Sequence, residues 1–169
     1  MTRTLILTRH AKSAWDDPSL DDFDRTLNGR GRKSAVAIGN WLVETGALPD
    51  IVLVSGARRT VETWGRMAAA FPATATMQSA PALYHGSAST ILSVLRAQRA
   101  PTIMLIGHNP GIGEFAERIV HTPPDHPRFL DYPTAATTVI TFDVAEWSDI
   151  AWGSGHAEDF VIPRELLEK

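Results

Sequence analysis

Cysteine is absent from this chain of 169 residues. The sequence therefore offers no disulfide, no thiolate ligand for a metal and no cysteine nucleophile, which is compatible with a reducing compartment. It also lacks any apolar run approaching the roughly 20 residues of a membrane-spanning helix. The first residues lack the charged, apolar and small-residue sections of a signal peptide. We therefore expect a cytoplasmic protein.

A strong excess of charge of either sign is missing as well. The chain has 16 Lys and Arg against 19 Asp and Glu, a net charge of −3, which argues against binding nucleic acid or a membrane surface. Apolar residues make up 44% of the sequence, which is typical of a chain with a buried core. Because no repeat, low-complexity tract or linker interrupts the chain, we expect one domain over residues 1–169.

Short apolar runs without alternation predict strands that are buried on both faces. The clearest runs lie at about residues 3–8, 51–54 and 102–106, with further strands expected near 74–78, 137–142, 151–152 and 159–162. Helical patterns lie between them: residues 29–44 behind the N-cap Asn28, a face of Trp64, Ala68 and Phe71, a helix after the N-cap Ser87, and one that starts at Pro110 behind the N-cap Asn109. This alternation predicts an α/β fold, a three-layer α/β/α sandwich with a mainly parallel central sheet.

Cationic and imidazole side chains follow three of the predicted strands. Arg9 and His10 come directly after the first, Arg59 follows the second, and His108 follows the strand at 102–106. Parallel strands end at one edge of a sheet, where ligands bind, and the next helices direct their positive N-termini there. Arginine suits phosphate and histidine can attack phosphorus. The sequence therefore predicts a cationic pocket for a phosphoryl group.

The same three segments resemble the motifs of the histidine phosphatase superfamily, the phosphoglycerate-mutase-like proteins. Arg9-His10-Ala11-Lys12-Ser13 is similar to the Arg-His-Gly signature, with Ala11 at the usual glycine position. Residues 55–63 resemble the second motif, in a register that makes Arg59 rather than Arg58 the phosphate-binding arginine. Residues 107–111 resemble the third motif. The small size, residues 24–28 and Leu83-Tyr84 are similar to the SixA branch, the phosphohistidine phosphatases.

The resemblance implies a two-step reaction without a metal or other cofactor. Neutral His10 would attack phosphorus and form a covalent phosphohistidine, which water then hydrolyses. Arg9, Arg59 and His108 would bind the equatorial oxygens and stabilise their charge in the transition state. Mutase-like relatives also carry a glutamate acid after the segment that here reads 81–86, which contains no carboxylate.

The missing glutamate bears on the substrate. A P–O bond to an alkyl alcohol releases a strongly basic alkoxide that needs a proton donor, whereas phosphohistidine releases an imidazole, a better leaving group. The absence of this glutamate therefore favours phosphohistidine as the substrate. Asp16, Asp17 or Asp24 on the loop over residues 11–26 could instead donate the proton.

Three further residues are candidate substrate contacts. Ser13 belongs to the first motif, Asp16 stands where many mutases have a phosphate-contacting asparagine, and Arg25 is either a contact or an ion-pair partner of neighbouring aspartates. The remaining titratable and aromatic candidates are expected elsewhere: His85 and His156 isolated, His121 and His126 in solvent, Arg58 and Arg66 on a solvated helix face, and Trp41, Trp64, Trp147 and Trp152 in the core.

We thus expect a metal-independent phosphatase that acts on phosphohistidine of a protein. The alternatives are a phosphatase of a small phosphomonoester and a phosphoanion-binding protein without turnover. The expected partner is a phosphorylated protein or small phosphorylated substrate, not nucleic acid or a membrane, and an open cleft for a protein would suit a monomer.

Overall fold

A computed structural model describes residues 1–72 and 75–168 of the chain. Within these residues, strands and helices alternate as expected over most of the length. In chain order they are β1 (Arg3–Arg9), α1 (Gly29–Thr45), β2 (Ile51–Val54), α2 (Arg58–Ala68), β3 (Thr76–Ser79), α3 (Ala88–Arg96), β4 (Thr102–Gly107), α4 (Gly111–Ile119), β5 (Thr137–Phe142), β6 (His156–Val161) and α5 (Pro163–Leu167).

The described strands form one sheet in the order β3-β2-β4-β1-β5-β6. The first four in that order are parallel, β5 pairs antiparallel with β1, and β6 pairs antiparallel with β5 at the outer edge. β4 lies between β2 and β1, with Leu5 opposite Ile103 and Leu53 opposite Leu105. The carboxyl ends of β1, β2 and β4 therefore meet at one edge, and the expectation of a mainly parallel sheet is confirmed.

Alternate side chains of the central strands enter two separate buried clusters. Leu5, Leu7 and Leu105 pack with the apolar faces of α3 and α4 on one side of the sheet. Ile6 and Met104 point to the other side, where α1 and α2 cover them. Since side chains of a strand alternate between its two faces, the apolar runs are covered by helices on both sides. The three-layer α/β/α sandwich is confirmed.

The ends of α1 are the ones that its sequence predicts. The Asn28 side chain accepts the Gly31 N–H at 2.8 Å and caps the first turn. At the other end Gly46 takes a left-handed conformation with φ of 80°, which glycine adopts without strain. Ala35, Ile38 and Leu42 on the inner face of α1 are fully buried.

Several predicted element limits are wrong. Residues 151–152 form a turn rather than a strand, because the Trp152 ring packs beside Phe115 and under the Arg118 guanidinium, 4.0 Å from the ring centroid. The last strand spans 156–161 instead of 159–162. α2 ends before Phe71, whose ring lies 5.4 Å from that of Trp64. The predicted start of β3 at residue 74 lies outside the described residues.

The tryptophans divide between core and surface layers. Trp64 and Trp147 are buried, whereas Trp41 and Trp152 are half-buried against the two clusters. In the described part of the chain, none of the helices has the length and apolarity needed to cross a membrane.

Candidate active site

Arg9, His10, Arg59 and His108 line one pocket of about 290 Å³ at the carboxyl edge of the sheet. The centroids of the two imidazole rings are 5.2 Å apart. All four side chains are largely withdrawn from solvent; His10, Arg59 and His108 are each less than a tenth exposed. The expected convergence of two guanidinium groups and two imidazoles is therefore present. The other lining residues are Lys12, Ser13, Trp15, Asp22, Arg25, His85, Asn109 and Thr134.

Strand register places the two histidines side by side. Arg9 pairs with Gly107 across β1 and β4, so His10 and His108 are the next residues on two adjacent parallel strands. The backbone N–H of His10 donates to the Gly107 carbonyl oxygen at 3.1 Å and extends this pairing beyond the strand. The imidazoles are thus fixed by the main chain on which they stand.

Arg59 reaches the pocket from the first turn of α2. Thr63, one turn further along, has a hydroxyl that accepts the Ala11 N–H at 3.0 Å and donates to the Arg59 carbonyl oxygen at 2.6 Å. This link joins α2 to the first motif. Arg58 is exposed while Arg59 is only 4% exposed, so the side chain that faces the pocket is the one that the motif register predicts.

Hydrogen bonding and burial make His10 a neutral base with a free lone pair. Its Nδ1 lies 2.7 Å from the carbonyl oxygen of Ala11, and because a carbonyl only accepts, Nδ1 carries the ring proton. Nε2 is then the unprotonated nitrogen. Burial, with further lowering from His108 and Arg59, reduces the pKa of His10 to about 3. The ring is therefore neutral and nucleophilic near neutral pH.

His108 is held from behind by Ser55. Its Nε2 lies 2.7 Å from the Ser55 hydroxyl, which in turn accepts the Ala57 N–H at 3.2 Å. The hydroxyl proton of Ser55 can go to Nε2, an arrangement that leaves the ring proton on Nδ1. Burial and the Arg59 charge lower the pKa of His108 to about 4.

Three buried nitrogens at the pocket have no hydrogen-bond partner among the described residues. They are Arg9 Nε, Arg59 Nε and His108 Nδ1. Buried polar atoms in folded proteins are nearly always paired, so three in one pocket need an explanation. Burial and the charge of Arg59 also lower the pKa of Arg9, as expected for two cations withdrawn from water beside each other. Such a site is suited to an oxyanion.

Asp22 is a pocket residue that the sequence analysis did not identify. Its Oδ2 accepts from Arg59 Nη2 at 3.1 Å and from the Tyr84 hydroxyl at 2.5 Å, and its Oδ1 accepts from Arg25 Nη2 at 2.9 Å. Its carbonyl oxygen accepts from Arg59 Nη1 at 2.6 Å. The Tyr84 hydroxyl and the two arginines hold the pKa of Asp22 well below its usual range. No local pattern distinguishes it from the other aspartates of its loop.

Ser13 and Arg25 line the pocket together. Arg25 Nη1 donates to the Ser13 hydroxyl at 2.5 Å, and the guanidinium lies 3.5 Å from the centroid of the Trp15 ring. Its ion pair with Asp22 confirms the interpretation of Arg25 as a partner of a neighbouring aspartate. Contact of Ser13 and Arg25 with substrate stays a prediction.

The expected position of Asp16 in the pocket is wrong. Asp16 is exposed and, with Asp17, lines a separate depression, while Asp24 lines another beside α2. The reason is the path of the loop: Ser13 pairs with Leu27 as in a short antiparallel bridge, so the loop leaves and returns at the same place. None of the three carboxylates considered as proton donors is among the residues that line the pocket.

His85 was expected to be isolated, and this is also wrong. It lines the pocket, with its ring centroid 4.1 Å from that of Tyr84 and a positive φ of 56°. A left-handed backbone is uncommon for a residue with a side chain. No pattern in the sequence predicts this backbone conformation at His85. His126, in contrast, lies away from the pocket and contacts Glu165 at 2.8 Å.

The sequence predicts Asn109 as the N-cap of α4, and this is wrong. α4 starts at Gly111 with Pro110 in the cap position. Asn109 precedes this cap, and its side-chain amide nitrogen instead donates to the carbonyl oxygens of Asp131 and Tyr132, each at 3.1 Å. Its Oδ1 still accepts the Gly113 N–H at 3.1 Å. Among the residues described, no three His, Cys, Asp or Glu side chains are grouped to hold a metal ion.

The chain is similar to known proteins over much of its length. The profile of the histidine phosphatase superfamily (branch 1) matches residues 5–84. An uncharacterised chloroplast protein of Arabidopsis thaliana is 36% identical over 130 residues, a match that covers 70% of this chain and 60% of that protein. The chain thus spans less than two thirds of the length of this curated relative.

Solved structures match over nearly the whole chain. A candidate phosphohistidine phosphatase SixA from Nakamurella multipartitia is 28% identical with a TM-score of 0.80, covering 96% of this chain and 97% of that one. A second such SixA protein, from Agrobacterium tumefaciens, is 27% identical with a TM-score of 0.78, covering 95% and 98%. The profile match covers just under half of the chain, and together with these structures it shows similarity to the histidine phosphatase superfamily. Among these proteins, the chain is similar to the SixA proteins in fold and in sequence.

Proposed function

We propose that this chain is a metal-independent phosphatase that removes the phosphoryl group from phosphohistidine on a protein. The observation that carries the proposal is the unprotonated Nε2 of His10, in a pocket where three unpaired nitrogens of Arg9, Arg59 and His108 are buried. A neutral nucleophile beside oxyanion donors is the arrangement that phosphoryl transfer needs. We also propose that residues 1–169 act as one domain, since both buried clusters pack on the same sheet.

The reaction has two steps. In the first, His10 Nε2 forms a bond to phosphorus while the P–N bond of the substrate breaks, and the departing imidazole leaves with its electron pair and takes up a proton from solvent. In the second, water attacks phosphorus, the bond to Nε2 breaks, and inorganic phosphate and the proton of water are released. Arg9, Arg59 and His108 bind the three equatorial oxygens in both steps.

The charge state of Asp22 supports a phosphohistidine substrate. Among the described residues that line the pocket, Asp22 is the carboxylate, and its lowered pKa keeps it ionised and therefore unable to donate a proton. A leaving imidazole needs little such help, whereas an alkoxide needs much. The SixA proteins that resemble this chain carry the name of phosphohistidine phosphatases, which agrees with the same substrate class.

A panel of substrates tests this proposal. With EDTA present, we expect turnover of phosphoramidate and of a histidine-phosphorylated protein, with kcat/KM on the protein well above that on any of a set of phosphomonoester metabolites. A preference for one metabolite would favour the phosphomonoester alternative. Phosphate binding without turnover of any compound would favour the non-catalytic alternative.

The nucleophile needs a separate test. After an acid-labile, alkali-stable phosphoenzyme is trapped from labelled phosphohistidine, the label should lie on His10. His10→Ala should abolish both label and turnover and leave the circular dichroism spectrum unchanged. His121→Ala, an exposed histidine outside the pocket, serves as the matched control and should behave as wild type. A label on another residue would disprove the assignment.

A further inference from the structure

A second cleft, of about 370 Å³, adjoins the candidate active site. The two share Lys12 and Thr134 as lining residues, so a ligand seated against His10 can continue into this cleft. Its charged lining side chains are all cations among the described residues: Lys12, Arg30, Arg128 and Arg164. We call this surface the basic cleft.

The N-terminus of α1 fixes one wall of the basic cleft. The Asn28 N–H donates to the Lys12 carbonyl oxygen at 3.0 Å. Gly31 lies so close to the same carbonyl that an added Cβ would stand 2.0 Å from its oxygen, so only glycine fits there. This close approach holds Arg30, the preceding residue, beside the Lys12 backbone. The basic cleft and the first motif are therefore parts of one rigid surface.

The cations of the basic cleft are only weakly neutralised. Arg128 pairs with Asp131 at 2.9 Å and Arg164 with Glu168 at 3.0 Å, but both pairs are exposed and such pairs contribute little. Lys12 and Arg30 form no ion pair with any described residue. The cleft thus has a positive surface on a chain whose net charge is −3.

Helix electrostatics add to this positive potential. The first turn of α1 contains Arg30 and Arg32 and no acidic residue. The N-terminus of a helix already carries partial positive charge, so helix stability favours acids there rather than cations. A negatively charged ligand in the basic cleft would remove this conflict, because it would meet the helix dipole and Arg30 together.

We propose that the basic cleft binds acidic side chains that flank the phosphohistidine of a protein substrate. The inference rests on the proposed function and specifies its substrate. The four cations come from separate segments: the loop after β1, α1, the loop before β5, and α5. Such a distribution suits several carboxylates spaced along a polypeptide better than one compact phosphate.

Two phosphohistidine peptides of equal length test the proposal, one with Asp and Glu flanking the phosphohistidine and one with Ala and Gln. We expect the wild-type protein to prefer the acidic peptide by about tenfold in kcat/KM at low salt, with the preference shrinking as salt rises. Arg30→Glu and Arg164→Glu should each remove most of that preference and leave turnover of phosphoramidate unchanged.

Lys33→Glu is the matched control, because Lys33 is an exposed cation of the same helix that does not line the basic cleft. Lys33→Glu changes the net charge by the same amount as Arg30→Glu, and this variant should keep the preference for the acidic peptide. Equal kcat/KM on both peptides, or equal effects of Arg30→Glu and Lys33→Glu, would overturn the proposal. So would an Arg30→Glu variant that loses affinity for a small bisphosphate but keeps its peptide preference.

A binding experiment separates this inference from the proposed function. If the wild-type protein turns over neither phosphoramidate nor either peptide, the proposed function fails. Fluorescence anisotropy then measures how tightly the His10→Ala protein binds each labelled peptide, which tests binding in the basic cleft independently of turnover. Tighter binding of the acidic peptide that Arg30→Glu abolishes would support the cleft, and equal binding of both peptides would refute it.

Discussion

The carboxylate of Asp22 holds the outer edge of the Arg59 guanidinium, with Oδ2 at 3.1 Å from Nη2, while Nε stays unpaired at the pocket. We therefore predict that Asp22→Ala lowers kcat/KM on phosphoramidate roughly tenfold, because a charge-assisted hydrogen bond that orients Arg59 is lost. Asp21→Ala, a change at the exposed neighbouring aspartate, should have little effect. Steady-state kinetics and calorimetric titration of inorganic phosphate provide the measurement. Tighter phosphate binding by Asp22→Ala would mean that the carboxylate competes for Arg59 instead.

The hydroxyl of Ser55 should fix the tautomer of His108. Ser55→Ala removes the group 2.7 Å from Nε2, so the ring proton is free to move from Nδ1 to Nε2. We expect kcat to fall roughly tenfold, the size of one lost hydrogen bond to a catalytic group. Nitrogen-15 NMR of the His108 ring reads the tautomer directly. Ser34→Ala, at another buried serine, is the control, and an unchanged ring spectrum in Ser55→Ala would refute the role.

Two adjacent arginines should behave very differently. Removing Arg59, which is buried at the pocket, takes away an oxyanion donor, a loss of roughly 2.7–4 kcal/mol in transition-state stabilisation or 10²–10³ in kcat. Arg58 is exposed on the solvent side of α2, and Arg58→Ala should stay within about threefold of wild type. Comparison of kcat for the two alanine variants checks the motif register, and comparable losses would contradict it.

Acid should destabilise the protein through its buried neutral imidazoles. The pKa of His10 falls from an ordinary 6.5 to about 3 on folding, so the unfolded chain binds more protons between these values. Stability is therefore full above pH 6.5 and declines as the pH falls toward 3. Between pH 7 and pH 5 the contribution of His10 to this decline is about 2 kcal/mol.

Urea unfolding at pH 7 and at pH 5 measures that decline. His10→Gln cannot take up the proton, so its stability should fall by about 2 kcal/mol less than that of the wild type over the same interval. His121→Gln, outside the pocket, should show the wild-type decline. If wild type and His10→Gln lose stability equally, the histidine is not held neutral by the fold.

The parts of the site that lie at the ends of strands or directly after them could be predicted from the sequence. Apolar runs locate β1, β2 and β4, and the rule that parallel strands share a carboxyl edge brings Arg9, His10, Arg59 and His108 together. This inference needs only local patterns and one general property of sheets. The structure brings these side chains to one pocket for that reason.

The parts that stand on loops could not be predicted. Asp22 and Asp16 belong to the same acidic loop, and the choice between them depends on where Arg25, Arg59 and Tyr84 lie, which is a matter of distant contacts. His85 likewise lines the pocket because its own backbone is left-handed, shortly after the 3-10 turn at Pro81–Leu83. Aperiodic segments carry no spacing from which such contacts can be inferred.

The insertion of β4 between β1 and β2 has a consequence for how the protein is made. When only β1 and β2 have emerged from the ribosome, β4, the strand that lies between them in the sheet, has not yet been made. His108, which follows β4, therefore cannot yet lie beside His10. Pairing of β1 waits for residues almost a hundred positions later, and such distant pairings slow folding and leave apolar edges uncovered meanwhile. The reactive centre therefore cannot assemble during biosynthesis before β4 has paired with β1.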